Sequence, residues 1–232
     1  MTKTLIFTAT YNEKENIQIL IEKIINLKRD TDILVIDDNS PDQTGELLRD
    51  LQKTMSNLKV IIREKKLGLD TAHKLAFKYS KENNYQKLIT LDADLSHDPI
   101  EIPKIIDLLD TNSFVIGSRY INGGKCEMSF LRLILSIIGN KIIKYVLNIK
   151  SNEFTTSFRG FNLIKLTNFN LDMVNSKGYS FFMETIFILN KLGHNIYEIP
   201  IQFKNRTQGK SKISKLEVLR TLKNLFIICF KK

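Results

Sequence analysis

Short apolar runs alternate with helix-length segments through the first half of the chain, and no other feature limits the fold as strongly. The runs "TLIFTA" (4–9), "DILVIDD" (32–38), "LKVIIRE" (58–64), "KLITLDA" (87–93) and "SFVIGS" (113–118) are rich in β-branched residues and stop at polar or glycine-containing turns, the pattern of buried strands. Between them, "EKENIQILIEKIINLK", "GELLRDLQKTM", "LDTAHKLAFKYSKEN" and "PIEIPKIIDLLD" repeat apolar residues with helical period, the last entered through a proline. Such alternation calls for parallel strands joined by right-handed crossovers, so the expected class is α/β: a Rossmann-like, mostly parallel sheet flanked by helices. With 232 residues, 43% of them hydrophobic, the chain can build one sizeable core.

Open sheets of this class bind ligands beyond the carboxyl ends of their strands, and the polar clusters lie there. "TATYNEKEN" follows the first run, "DDNSPDQTG" the second, "DADLSHDP" the fourth and "GSRYINGG" the fifth. Parallel strands bring these clusters to one edge, collecting Tyr11, Glu13, Asp37, Asp38, Asp92, Asp94 and Arg119. Asp92 and Asp94, at i and i+2 beyond a buried strand, have the chemistry of a site for a hard divalent cation, Mg²⁺ or Mn²⁺, whose shell is completed by water and substrate phosphates. An isolated D-x-D also occurs on ordinary acidic turns; the position after a buried strand favours the functional reading. Neither G-x-x-x-x-G-K-[ST] nor G-x-G-x-x-G follows the first strand, so phosphate neutralisation falls to a cation. His97 reads as a solvated loop residue, and His73 and His194 as structural residues of helical segments.

Lys and Arg number 35 against 25 acidic residues, a net charge of +10, which points to an anionic partner. Nucleic acid is disfavoured, because the basic residues are dispersed and no recognised module is present. Cys126 and Cys229 show neither metal-ligand spacing nor a bridge framework, as in a reducing compartment. No signal-type core opens the chain, and "LFIICF" (225–230) falls far short of the roughly 20 residues of a membrane-spanning helix. Two segments suit a membrane surface instead. "MSFLRLILSIIGNKIIKYVLNIK" (128–150) carries apolar residues on a broad helical face with Arg132, Lys141, Lys144 and Lys150 interspersed. "KLEVLRTLKNLFIICFKK" (215–232) can dock on a bilayer, on a membrane-embedded partner subunit, or into the core. The expected location is peripheral, at the cytoplasmic face of a membrane.

The segments "TATYNEKEN", "VIDDNSPDQTG", "KKLGLDTA", "LDADLSHDP", "GSRYINGG", "TTSFRGF", "GYSFFMET" and "EIPIQFKNRTQGKSK" occur in this order over nearly the whole chain. Together they resemble the polyprenol (dolichol) phosphate mannosyltransferases, within the inverting family-two GT-A glycosyltransferases. The resemblance implies a GT-A catalytic domain over 1–211, an amphipathic C-terminal helix over 212–232, and metal-dependent transfer of mannose from GDP-mannose to a polyprenyl monophosphate. By position, Ala9, Tyr11, Glu13, Ile36 and Asp38 match the family's nucleotide pocket, and Asp92, Ala93 and Asp94 its diphosphate and metal motif. Arg119, Arg206 and Lys212 match basic positions that close on the phosphates. Arg132 and Ser136, with Arg119, match positions that handle the lipid phosphate. The polar segment "KNRTQGKSK", with cations on both sides of a glycine, suits an ordering lid.

Residue chemistry fits this division of roles. Expelling a nucleoside diphosphate builds charge on the leaving oxygen, which a metal and neighbouring cations stabilise. A hydroxyl acceptor needs a general base, whereas a lipid monophosphate with a second pKa of about 6 is already ionised. Hydroxyl-transferring relatives show a Glu-Asp pair where this chain has Glu184 and Thr185; Glu184 is left as a base or as a carboxylate orienting a cation. Asp70 stands where the family's turn has its second glycine, putting a carboxylate near the phosphate edge at a position suited to positive φ. Ala9 replaces a usual proline, and Thr156 a smaller residue. Two other readings remain: a transferase using UDP-glucose or another sugar nucleotide with a polyprenyl phosphate or hydroxyl acceptor, and a noncatalytic sugar-nucleotide or membrane-binding module.

Overall fold

The computed structural model describes residues 3–204 and 215–230. The apolar runs become β1 (Thr4–Thr10), β2 (Thr31–Asp37), β3 (Leu58–Ile62), β4 (Lys87–Thr90) and β5 (Phe114–Ser118), and the periodic segments become α1 (Lys14–Ile25), α2 (Thr44–Thr54), α3 (Leu69–Glu82) and α4 (Ile102–Leu108). A ribbon strand β6 (Lys125–Cys126), the long helix α5 (Phe130–Leu147), β7 (Arg159–Asn162), α6 (Tyr179–Lys191), β8 (Ile196–Pro200), β9 (Gln202–Phe203) and α7 (Lys215–Cys229) follow. The main sheet has the order β3-β2-β1-β4-β7-β5-β8, and β6 pairs with β9.

The sheet is mostly parallel, as expected, and one strand runs against the rest. β7 inserts antiparallel to both β4 and β5, so those two still run the same way. The carboxyl ends of β1, β2, β4 and β5 therefore meet on one edge, as the polar clusters require. The four residues of β7, "RGFN", offer no alternation by which a strand could be read.

Successive strand residues face opposite sides, as the pleat demands. Leu5, Phe7, Leu34, Ile36 and Leu88 join a core with α3, α6 and the buried faces of α5 and α7. Ile6, Ile33, Val35 and Ile89 join a second core beneath α1, α2 and α4. His73 lies in the first core, edge-on to Phe7 and Phe182 at 5.0 and 5.1 Å. Burial pushes its pKa down to about 3 and the nearby Arg159 adds to the shift, so it is a neutral structural residue as expected. His194 lies beyond the end of α6, half-buried, with Nε2 2.8 Å from Asn168 Oδ1, rather than in a helix.

The 211/212 boundary falls outside the described residues. α7 itself packs against α6 and α5, burying Leu225 and Ile228 in the first core and leaving Leu222, Phe226 and Phe230 exposed. No helix among the described residues is long and apolar enough to cross a membrane.

Candidate active site

Side chains of the β2–α2 loop build the floor of the strand edge. Asp37 is fully buried and accepts from Thr10 Oγ1 (2.7 Å), Ser40 Oγ (2.5 Å) and Ser40 N (2.9 Å). Ser40 Oγ accepts in turn from Asn12 N (2.9 Å), Thr44 Oγ1 from Glu13 N (3.2 Å) and Asp42 from Lys14 N (3.1 Å), which fixes the start of α1. Asp37 is thus a structural anchor. Asp38, one residue on, lines the cavity above; it accepts from Gly68 N (2.9 Å) and is ion-paired with the buried Arg63. Gly68 has φ +97°, the left-handed conformation that a side chain resists.

The loop after β4 is equally constrained. Asp94 is buried, and its Oδ1 accepts from Ser96 N (3.0 Å). Asp92 keeps about a third of its side chain exposed (34%) and its Oδ1 accepts from Ser157 Oγ (2.6 Å). Leu95 between them and the next turn has φ +62°, an uncommon conformation for a bulky residue that the surrounding bonds must enforce. His97 is not solvated, as its loop position suggested, but 1% exposed beneath Phe203 and Phe158. Its Nδ1 accepts from Asp92 N (3.3 Å) and Nε2 lies 3.1 Å from Thr156 Oγ1, which puts the ring proton on Nε2. Burial, outweighing the nearby Asp92 and Asp94, lowers its pKa, so the ring is neutral.

A cavity of about 480 Å³ opens over these strand ends, lined by Ala9, Tyr11, Glu13, Asp38, Asp92, Ala93 and Asp94. All seven were anticipated from the sequence. Lys66, Thr155, Ser157, Tyr179, Phe182 and Arg220 also line it and were not. Lys66 sits over the Tyr11 ring, 3.6 Å from its centroid. Ile36 is buried in the core and does not line the cavity. Glu184 is turned away from it: the carboxylate is 1% exposed and accepts from Asn175 N (3.0 Å) and Ser176 N (2.6 Å). It holds the segment before α6 and does not present a base. Asp70 is the second residue of α3, where a carboxylate suits the helix dipole, and it receives Gly178 N at 3.4 Å. The positive φ belongs to Gly68, not to this position, so no glycine is required there.

A second cavity of about 360 Å³ lies against α5, lined by Arg119, Tyr120, Cys126, Asn140, Lys141 and Lys144 among others. Arg119 belongs here and not to the acid-lined cavity, and its charge is already matched. Its Nε and Nη2 donate to the fully buried Glu153 at 2.7 and 2.8 Å, and Nη2 also to Thr155 Oγ1 at 2.9 Å. Burial works against both charges, yet Glu153 raises Arg119 above its ordinary range, and Arg119 with Thr155 holds Glu153 below its own. Gly124 lets the chain pass close to this arginine, since a Cβ there would lie 2.8 Å from the Arg119 carbonyl carbon. Ser136 bonds the Tyr120 hydroxyl (2.7 Å) at the cavity's rim. Arg132 is exposed near the start of α5, close enough for its charge to act on Cys126. Arg206 and Lys212 lie outside the described residues.

The pattern of the glycosyl transferase family 2 matches residues 5–166. The chain belongs to glycosyl transferase family 2. It is therefore an enzyme, a glycosyltransferase. It is 32% identical over 213 residues to an undecaprenyl-phosphate mannosyltransferase of Micrococcus luteus, covering 91% of this chain and 88% of that one. It is 33% identical over 215 residues to a polyprenol monophosphomannose synthase of Mycolicibacterium smegmatis, covering 91% and 81%. Among solved structures it resembles S. aureus TarS bound to UDP-GlcNAc (TM-score 0.63, 15% identity, 97% of this chain, 66% of that chain). It also resembles mannosyl-3-phosphoglycerate synthase from Rubrobacter xylanophilus (0.67, 14%, 99% and 73%). A third is mannosyltransferase PcManGT from Pyrobaculum calidifontis in complex with GDP-Man and Mn²⁺ (0.59, 16%, 99% and 64%). At these identities the structures speak for the shared GT-A fold.

For this family 2 glycosyltransferase, the donor set at the strand edge suits a hard divalent cation. Asp92 and Asp94 bring carboxylate oxygens to the cavity wall, while both His97 ring nitrogens are engaged behind them. Among the described residues no group of three or more His, Cys, Asp or Glu side chains forms a metal cage. Two carboxylates with the balance supplied by water and phosphate is the usual arrangement for such cations.

Proposed function

We propose that the protein transfers mannose from GDP-mannose to a polyprenyl monophosphate at a membrane surface, with Mg²⁺ or Mn²⁺ held by Asp92 and Asp94. The observation that carries this reading is the pairing of two cavities of opposite chemistry. The acid-lined one, with Tyr11, Glu13 and Asp38 around the strand ends, suits a sugar nucleotide whose diphosphate arrives with a cation. The one against α5 carries Lys141 and Lys144 beside the Glu153-paired Arg119 and suits an anion without a metal. A hydrogen bond joins them: Arg119 Nη2 in the second donates to Thr155 Oγ1 in the first.

The cation, when bound, neutralises charge on the departing diphosphate. Ala9, Tyr11, Glu13 and Asp38 hold the nucleotide, and the reading assigns Arg206 and Lys212 to the diphosphate as well. Arg119, Arg132 and Ser136 guide the lipid phosphate, whose oxygen forms the new bond to the anomeric carbon as the bond to the nucleotide breaks on the opposite face. The electron pair leaves with GDP, and no proton need be removed from the acceptor. Glu184 supports this choice of acceptor, because its carboxylate is spent on two backbone amides while a hydroxyl acceptor would need a base. The mannosyl and polyprenyl-phosphate names of the two bacterial relatives favour the same substrates over UDP-glucose.

The test is a transfer assay with the full chain, Mg²⁺ or Mn²⁺, a short-chain polyprenyl phosphate, and radiolabelled GDP-mannose beside UDP-glucose. Lipid-linked mannose that disappears with EDTA is the expected result. Transfer of glucose alone, or equal transfer to free polyprenol, would overturn the donor or the acceptor assignment respectively.

A further inference from the structure

Residues 153–157 run along the wall between the two cavities and send successive side chains to different sides. Glu153 and Thr155 hold Arg119, as described. Thr156 Oγ1 meets His97 Nε2 at 3.1 Å, and Ser157 Oγ donates to Asp92 Oδ1 at 2.6 Å. The segment is fixed from behind. Arg159, 1% exposed and 4.8 Å from the Phe182 ring centroid, donates to Thr156 O (2.8 Å) and Phe154 O (3.1 Å). The Thr90 hydroxyl donates to Ser157 O. Ser157 is 2% exposed and Thr156 4%, so neither can exchange these partners for bulk water.

We propose that Ser157 is the positioning residue that orients Asp92 as a cation ligand, with His97 steadying the same residue through its backbone N–H. Asp92 is the more exposed of the two aspartates, and a carboxylate on a solvent-facing turn samples several rotamers. A donor on Oδ1 restricts the rotamers of the carboxylate, and an acceptor on the N–H restrains the backbone that carries it, before a cation arrives. Because one segment also fixes Arg119, the donor-side carboxylate and the acceptor-side guanidinium are built on a common rigid strut. The inference rests on the metal reading above, and it assigns the orienting role to Ser157, 65 positions downstream of Asp92.

Partners that orient a metal ligand are worth about 10- to 100-fold in metal affinity. Mn²⁺ binding to the full chain in the presence of GDP, followed by electron paramagnetic resonance, therefore tests the proposal without turnover. Ser157→Ala should weaken Mn²⁺ about 10- to 100-fold with an unchanged thermal midpoint, and Ser157→Thr, which keeps the hydroxyl, should return it to within about threefold of wild type. If the alanine variant loses thermal stability, Ser157→Cys keeps the volume with a weaker donor and should fall between serine and alanine. Wild-type affinity in Ser157→Ala, or a threonine variant no better than alanine, would overturn the positioning role. Failure of the wild-type protein to bind Mn²⁺ would instead remove the metal reading, and the inference with it.

Discussion

The strand edge and the outer face of α5 treat polarity in opposite ways. At the edge, carboxylates are gathered into a cavity and tied by bonds to loops, hydroxyls and backbone amides. On α5, Leu131, Leu135, Ile138, Ile142 and Tyr145 recur at alternating four- and three-residue spacing and stay 70, 62, 48, 44 and 88% exposed. The buried side of the same helix holds Asn140, Ile143 and Leu147. An edge built from strand ends is held by its own hydrogen bonds; a helix with its apolar stripe outward leaves that stripe uncovered among the described residues. The first region can be broken by changing one atom, the second by changing the apolar side chains of the stripe or what they meet.

The sharpest break is expected at the edge. In Asp94→Asn the Oδ1 that accepts from Ser96 N is kept, while the charge that a cation needs is lost. Losing a cation's stabilisation of the leaving group is worth several kcal/mol, so turnover should fall about a thousandfold or more with no change in the urea midpoint. Retained activity would show that the edge does not work through a cation, and a lowered midpoint would show that the two roles of Asp94 cannot be separated.

The wall between the regions is the next place to strike. Removing Glu153 leaves Arg119 buried without its counter-charge, and breaking one partner of such a pair costs about 3–5 kcal/mol. Glu153→Ala should show that loss in urea denaturation. A loss below about 1 kcal/mol would mean that water reaches Arg119 and that the wall is softer than its burial implies.

These differences also explain what could be read in advance. The acidic pair was legible because a motif at the end of a buried strand has its position fixed by the strand, and parallel strands share an edge. Ser157, Thr155 and Glu153 carry no such mark: they come from a later segment and reach the site only because β7 inserts between β4 and β5. His97 was misread for the same reason. Its loop looks polar, and only the return of the chain as β9, bridging Phe203 to His97, puts it under cover. Arg119 was correctly placed at a strand end, but its neutralisation by a carboxylate 34 residues on is a tertiary fact. On α5, helical periodicity was plain, yet periodicity does not say whether the apolar stripe faces protein or membrane.

That last ambiguity sets the smallest of the expected effects and the most informative for the comparison. Fully burying a leucine or phenylalanine side chain is worth about 1.5–3 kcal/mol, so a residue that enters a bilayer only in part contributes about a tenfold factor in vesicle affinity. Leu135, on α5, and Phe226, on the neighbouring α7, are 62 and 66% exposed, and neither lines either of the two cavities described above. The pair Leu135→Asn and Phe226→Asn should each weaken co-sedimentation with anionic vesicles about tenfold, while transfer to a soluble short-chain acceptor stays as it was. Lysines beside the stripe make the same binding fall with added salt, because attraction to anionic headgroups is screened. If vesicle binding survives both changes, the outward stripe meets a protein surface and not a lipid one, and the contrast with the strand edge would lie between two kinds of protein contact.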